Sequence, residues 1–236
     1  VPVNRIFRLI FLIALNITLF GSAQASSVNT TITPSQVFVD GELLEVRIKI
    51  KPSDWQNLLS EGRSFEDLID QDKKTFKYNE YSADITLNGK NFENIVIRKK
   101  GYYGSVSAVK PALKIKLKKT KKYFGLRRIT LNNDRQDDSH IRQCMTYKTF
   151  AKAKLPAPRC QLAHVVVNGK DLGIYSLIEA IKKPFLKRAF GAGDGKLYEG
   201  QKADFTPEAI KNFQIKGDTA DKDPLLKLMK ALAIAD

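Results

Sequence analysis

"YSADITLNGKNFENIVIRKK", residues 81–100, decides the fold class. Two runs with alternating apolar side chains flank Asn88-Gly89-Lys90. Asn-Gly tolerates the positive φ that a tight hairpin turn demands, so the stretch predicts two antiparallel strands. "RKKGYYGSVSAVKPALKIKLKK" (98–119) carries the chain onward, and in it Leu113, Ile115 and Leu117 alternate with Lys114, Lys116 and Lys118. That period belongs to a strand with one buried face. "RRITLNN" (127–133) adds a fourth strand, and the region reads as an antiparallel sheet.

Working outward, "EVRIKIK" (45–51) is a further strand. "PSDWQNLLSEG" (52–62) is a short helix with Ser53 placed to cap it and Gly62 to end it, and "SFEDLID" (64–70) is a second. Beyond the sheet, Asp138 or Ser139 can cap a helix whose apolar face includes Ile141, Cys144 and Met145. It stops before the prolines of "LPAP" (155–158). "CQLAHVVVNGKDLGIYSLIEAI" (160–181) is a second hairpin, turning at Asn168-Gly169. Pro184 suits the first turn of a helix over 184–190, "GAGDG" (191–195) is a turn, and a final helix begins near Asp223-Pro224 with Leu225, Leu228, Met229 and Leu232 on one face. The order of elements predicts an α+β fold: an antiparallel sheet with a packed helix, then the start of a helical part.

Residues 1–25 are set apart from this fold. Arg5 and Arg8 precede the apolar run "LIFLIALNITLF", and "AQA" stands before Ser26, the layout of a signal peptide. The run is shorter than a membrane span, so a secreted or periplasmic protein is expected, with no transmembrane segment after cleavage. Residues 26–44 read as a mobile entry segment and 45–236 as the folded domain.

The formal net charge is +15. Between Asn94 and Asn133 stand twelve Lys or Arg and no acid. Either a solvated strand face or an anion site accounts for such a run. Two cysteines, Cys144 and Cys160, form one disulfide or serve as small buried apolar groups. With only His140 and His164, neither a zinc site nor a Ser-His-Asp arrangement is predicted. Tyr102, Tyr103 and Tyr123 do not form an evident stacking platform, which argues against nucleic acid as the partner.

Five blocks then carry a resemblance: "NIVIRKKGYYGSVSAVKPALKIKL", "GLRRITLNND", "LPAPRC", "VVVNGKDLGIYSLIEAIKKPFLKRAFG" and "GKLYEGQKADF". In this order they resemble the CotH-like (spore-coat protein H) kinase family, from about residue 37 to about 215. The resemblance implies an atypical kinase-like fold, a nucleotide-binding lobe resembling that of a protein kinase, ATP with Mg or another divalent metal as cofactor, and transfer of phosphate to Ser or Thr of an unidentified protein. It implies that Gly101, Gly104 and Ser105 form a phosphate-approaching loop, where glycine admits backbone N–H groups close to the ligand. Ala112 and Lys114 share a sheet face, which makes Lys114 the expected phosphate lysine and Lys116 its alternate. Gln143 stands where a kinase helix would offer a carboxylate, and Glu179 where the chain would cross between lobes, its alternative reading being a surface carboxylate that ends a strand. Full-length relatives continue into a helical lobe with a Trp-Asp motif and metal-binding residues. No such blocks precede Asp236, so the chain reads as an incomplete family member without the catalytic aspartate. The competing reading is a secreted, non-catalytic binding protein whose basic sheet docks acidic or cell-surface partners.

Overall fold

The computed structural model describes residues 37–62, 76–101, 104–200, 203–216 and 221–234. The signal peptide expected over 1–25, most of the expected entry segment, the helix expected over 64–70, Tyr102 and Tyr103 lie outside them.

Seven strands form the main sheet: β1 (Leu43–Ile50), β2 (Tyr81–Leu87), β3 (Lys90–Lys100), β4 (Ala112–Lys116), β5 (Arg128–Asn132), β6 (Cys160–Val167) and β7 (Lys170–Glu179). Among the described residues four α-helices accompany them: α1 (Pro52–Ser60), α2 (Arg142–Lys152), α3 (Lys183–Phe190) and α4 (Asp223–Ile234). The class is α+β, as the order of elements predicts. The antiparallel pairing predicted from the sequence is present, and its strands further close into a barrel, in the order β1-β2-β3-β4-β5-β7-β6, a closure the sequence does not predict. The closing seam is parallel, pairing Leu43 with Leu162 through Ile48 with Val167. Strand alternation cannot reveal a seam between segments more than a hundred residues apart.

The two Asn-Gly turns tie β1 to the strands on either side of it, and the second extends the seam. Asn88 and Gly89 take φ of 43° and 78°, and Asn168 and Gly169 take 50° and 83°, as two-residue hairpin turns require. Each asparagine also grips β1. The Asn88 Oδ1 accepts from the Glu45 N–H at 2.7 Å. The Asn168 amide both accepts from the Ile50 N–H (2.9 Å) and donates to the Ile50 carbonyl (2.8 Å), extending the β1–β6 ladder by one side-chain rung.

The barrel interior is a single apolar core. β1 alternates exposed and buried residues along its length, and Ile48, Ile85, Ile97, Leu113, Ile115 and Leu131 are among the fully buried side chains. α1 adds Trp55 and Leu58 to this core. Ser53 does not cap α1: Pro52 occupies its first turn and no side chain caps it. At its other end the buried Lys99 ammonium donates to the carbonyls of Leu59 (2.7 Å) and Glu61 (2.5 Å). A cation there satisfies carbonyls that the helix leaves unpaired. One of the twelve basic residues is thereby structural.

α2 departs from the expected packing. Cys144 is its buried side chain, whereas Ile141 and Met145 are 48% and 54% exposed. Its N-terminus is capped by Asp137, whose carboxylate accepts from the Arg142 N–H at 2.8 Å, rather than by Asp138 or Ser139. Cys144 and Cys160 are joined in a disulfide with their Cα atoms 5.1 Å apart. With Ile178 they make a small second cluster that fixes α2 to the barrel wall. α3 ends at Gly191 in the left-handed conformation. A separate two-stranded sheet, β8 (Leu197–Gly200) with β9 (Phe213–Lys216), precedes α4. On α4 Leu225 is buried, but Leu228 and Leu232 are exposed, so only part of the expected apolar face is covered.

Candidate anion-binding cleft

β3 and β4 pair in register from Val96–Lys116 to Lys100–Ala112, and the loop that joins them is described at Gly101 and over residues 104–111. Gly101 and Gly104 hold φ of 149° and 85° there. A side chain at position 104 would run into the Gln136 amide. The loop is pinned from below by Asn133, which is 2% exposed. Its amide donates to the carbonyls of Ser105 (3.0 Å) and Lys110 (2.7 Å). Arg135 donates to the Val106 carbonyl, and the buried Tyr175 hydroxyl donates to the Pro111 carbonyl at 3.1 Å.

Between this loop, the end of β5 and the start of α2 lies a cleft of about 320 Å³. Lys100, Ser105, Ala112, the segment Asn132–Asp137, Arg142 and Gln143 line it. The Lys100 ammonium donates to the Asn132 Oδ1 at 2.5 Å. The Asn132 amide donates to the Gln143 Oε1 at 2.7 Å, and the Gln143 amide to the Tyr147 hydroxyl at 3.2 Å. Lys100 is thus oriented by a neutral relay. Burial, followed by the positive charges of Lys114 and Arg98, pushes its ammonium down to about 8. Nothing in that set of influences neutralises it, so the group gains by meeting an anion.

The acids at the cleft have other engagements. The Asp134 carboxylate accepts from the Ser176 hydroxyl at 2.9 Å and stands 3.7 Å from the His140 Nδ1. Burial raises its pKa, against the hydrogen bond from Ser176 and the charges of His140 and Lys110. Asp137 is bound to Ser139 and to Arg142, with the Arg142 Nε at 3.4 Å. Lys110 places its ammonium 5.0 Å from the Tyr175 ring centroid, and burial lowers its pKa.

Among the residues singled out from sequence, the structure brings together Ser105 and Gln143 in the cleft wall, with Gly104 packed on Gln136 behind it and Gly101 at the loop's base. Ala112 and Lys114 share the outer face of β4, opposite the core-facing Leu113 and Ile115. Ala112 lines the cleft. Lys114 is exposed one step along that face, and its charge reaches Lys100. Lys116 lies two residues further and outside the lining. Glu179 is elsewhere. It ends β7, 4% exposed, between Arg159 (2.8 Å) and Arg188 (2.6 Å). Burial alone would raise its carboxyl, but the hydrogen bonds from the two arginines outweigh this and hold it below the usual range. It is not a surface carboxylate and does not reach the cleft.

Sequence reasoning missed Lys100, Asn132, Asn133 and Asp134. A signal was available: "NND" breaks the alternation of β5 at the strand end before a helix, where loops carry function on a rigid scaffold. Lys100 was hidden as the last of three consecutive basic residues.

The CotH kinase protein family matches residues 97–231. The chain belongs to that family. The match begins within β3 and reaches into α4, so the whole lining of this chain's cleft, from Lys100 to Gln143, lies inside it. β1, α1 and β2 precede it, although β1 supplies the seam that closes the barrel. No curated protein matches the chain significantly.

Proposed function

We propose that the cleft beside Lys100 receives the phosphates of ATP, and that this CotH-family chain supplies the nucleotide-binding lobe of an exported kinase acting on serine or threonine of partner proteins. The observation that carries this is a half-buried lysine, oriented by a neutral relay and bordered by like charge, facing a cleft beside a glycine-containing loop. Lys100 takes the phosphate role expected of Lys114, and Lys114 reinforces it from the rim. The relay from Gln143 through Asn132 replaces the carboxylate that a kinase pairs with its lysine. A neutral partner orients the ammonium while leaving its charge for the ligand.

The donors present fit phosphate. Lys100 offers N–H groups, Ser105 its hydroxyl and Arg135 its guanidinium, a set suited to charge-assisted bonds with anionic oxygens. ATP, when bound, supplies the transferable phosphoryl group, and the residues here orient its anionic end. The metal implied by the family is a different matter. Among the described residues no group of three His, Cys, Asp or Glu is placed to hold an ion. Export to a secreted or periplasmic location is supported by the leader pattern and by the disulfide, a bond that persists in oxidising compartments. Among the described residues no helix is long and apolar enough to cross a membrane.

A second reading has an observation of its own. On the outer barrel face Arg98 pairs with Lys114 and Lys116 with Arg128. Like charges opposite one another destabilise a sheet, and an acidic protein partner would relieve them. ATP titration by calorimetry separates the readings. Lys100→Ala should weaken binding roughly tenfold or more, and Lys118→Ala less than about twofold. Equal losses that vanish in high salt would favour the docking surface.

A further inference from the structure

The disulfide and the cleft meet on one short helix. α2 carries Gln143, which anchors the relay to Lys100, and its neighbour Cys144, the buried side chain of that helix. Elsewhere α2 buries little: Met145 and Phe150 are 54% and 45% exposed, Ile141 just before it is 48% exposed, and polar contacts tie Arg142 to Asp137 and Lys148 to Asp40. Its apolar attachment to the barrel is the cluster of Cys144, Cys160 and Ile178 with Tyr147 and Leu162 packed on it. Tyr147 is also the hydroxyl at the far end of the relay. Covalent anchor, packing cluster and relay thus converge within residues 143–147.

We propose that the Cys144–Cys160 disulfide positions the Lys100 cleft and makes its affinity for phosphate ligands depend on thiol redox state. The inference rests on the reading of the cleft as a phosphate site. In the oxidised protein the bond fixes α2, and Gln143 and Asn132 hold the ammonium toward the cleft. A dithiol reductant breaks the S–S bond: two electrons and two protons yield two cysteine thiols, and the reductant becomes a disulfide. The barrel core does not include either cysteine, so the barrel persists while α2 loses its covalent anchor and is left to its polar contacts and the small packing cluster. Gln143 then leaves Asn132, and Lys100 loses its fixed orientation. Gln143 acts through Asn132 and is a positioning residue.

Coupling of this kind is reciprocal: if oxidation tightens ATP binding, ATP must stabilise the disulfide by the same factor. The test equilibrates the purified protein with oxidised and reduced dithiothreitol, with and without saturating ATP, and quantifies free thiols by mass spectrometry. Loss of one charge-assisted contact predicts an affinity ratio of about tenfold, which is a downward shift of about 30 mV in midpoint potential. In Gln143→Ala the shift should fall below about a third of that. An unshifted wild-type midpoint, with ATP binding to the oxidised protein confirmed by calorimetry, overturns the coupling and leaves the phosphate site standing. A shift that persists undiminished in Gln143→Ala overturns it too, because ATP would then act through global folding. Oxidised protein that binds no ATP overturns the phosphate site and this inference with it.

Discussion

Replacing Lys100 with methionine removes its charge and keeps most of its stem, which makes it the sharpest probe of the cleft. An ammonium held near 8 is about nine-tenths protonated at pH 7 and about one-tenth protonated at pH 9. If only the charged form grips phosphate, the wild-type association constant for ATP falls about tenfold between those values. Lys100→Met should start roughly ten- to a hundredfold weaker at pH 7, the worth of one charge-assisted bond at 1.5–3 kcal/mol, and should show no fall toward pH 9. Lys100→Arg, charged throughout, should also be flat. Stability moves the opposite way. Because the folded protein lowers this pKa from 10.5, the unfolded chain binds more protons between about pH 8 and 10.5. The destabilisation is therefore complete below pH 8 and is relieved as pH rises through that window. Lys100→Met should accordingly stabilise the fold at pH 7 by about 1–3 kcal/mol, allowing for water in the cleft. Calorimetric titrations at pH 7, 8 and 9, with urea unfolding at pH 7, measure both. A wild-type pH dependence that survives in Lys100→Met would refute the assignment, as would an unchanged affinity.

Three further outcomes follow from individual contacts. Asn133→Ala leaves two loop carbonyls unpaired and should cost about 1–3 kcal/mol, with limited proteolysis newly cutting between residues 101 and 111. Gly104→Ala forces a side chain into a positive φ and against Gln136, and should cost about 1–2 kcal/mol in urea unfolding while weakening ATP binding. Glu179→Gln removes the carboxylate between Arg159 and Arg188 and should cost about 3–5 kcal/mol. In the wild type the depressed carboxyl contributes stability above its ordinary value of 4.5, lost as pH falls through the lower folded value, so the mutant's melting temperature should respond less to acidification below pH 4.5.

Local chemistry determined a great deal of this protein. The two Asn-Gly turns, the alternation over residues 81–87, 95–100 and 113–117, and Pro184 at the head of α3 are short-range signals, and each stands where the periodicity places it; the alternation slips only at Glu93 and Asn94, where the β2–β3 register shifts. The shared outer face of Ala112 and Lys114 was legible for the same reason, since a strand's period of two needs no partner to be read. Tertiary structure decided what depends on distant segments meeting. The parallel seam joins β1 to β6 and turns a sheet into a barrel. Lys99 becomes a helix cap while Lys100, one residue on and facing the other way, becomes the cleft's cation. Nothing in "RKK" distinguishes these two lysines, because their roles are set by Leu59 and Glu61 on one side of the strand and Asn132 on the other. Glu179 looks like a solvated strand end until Arg159 and Arg188 close on it. Spacing along a chain fixes which face a side chain occupies. The groups that face it, and hence whether its charge is solvated, paired or left for a ligand, are fixed only when the barrel closes.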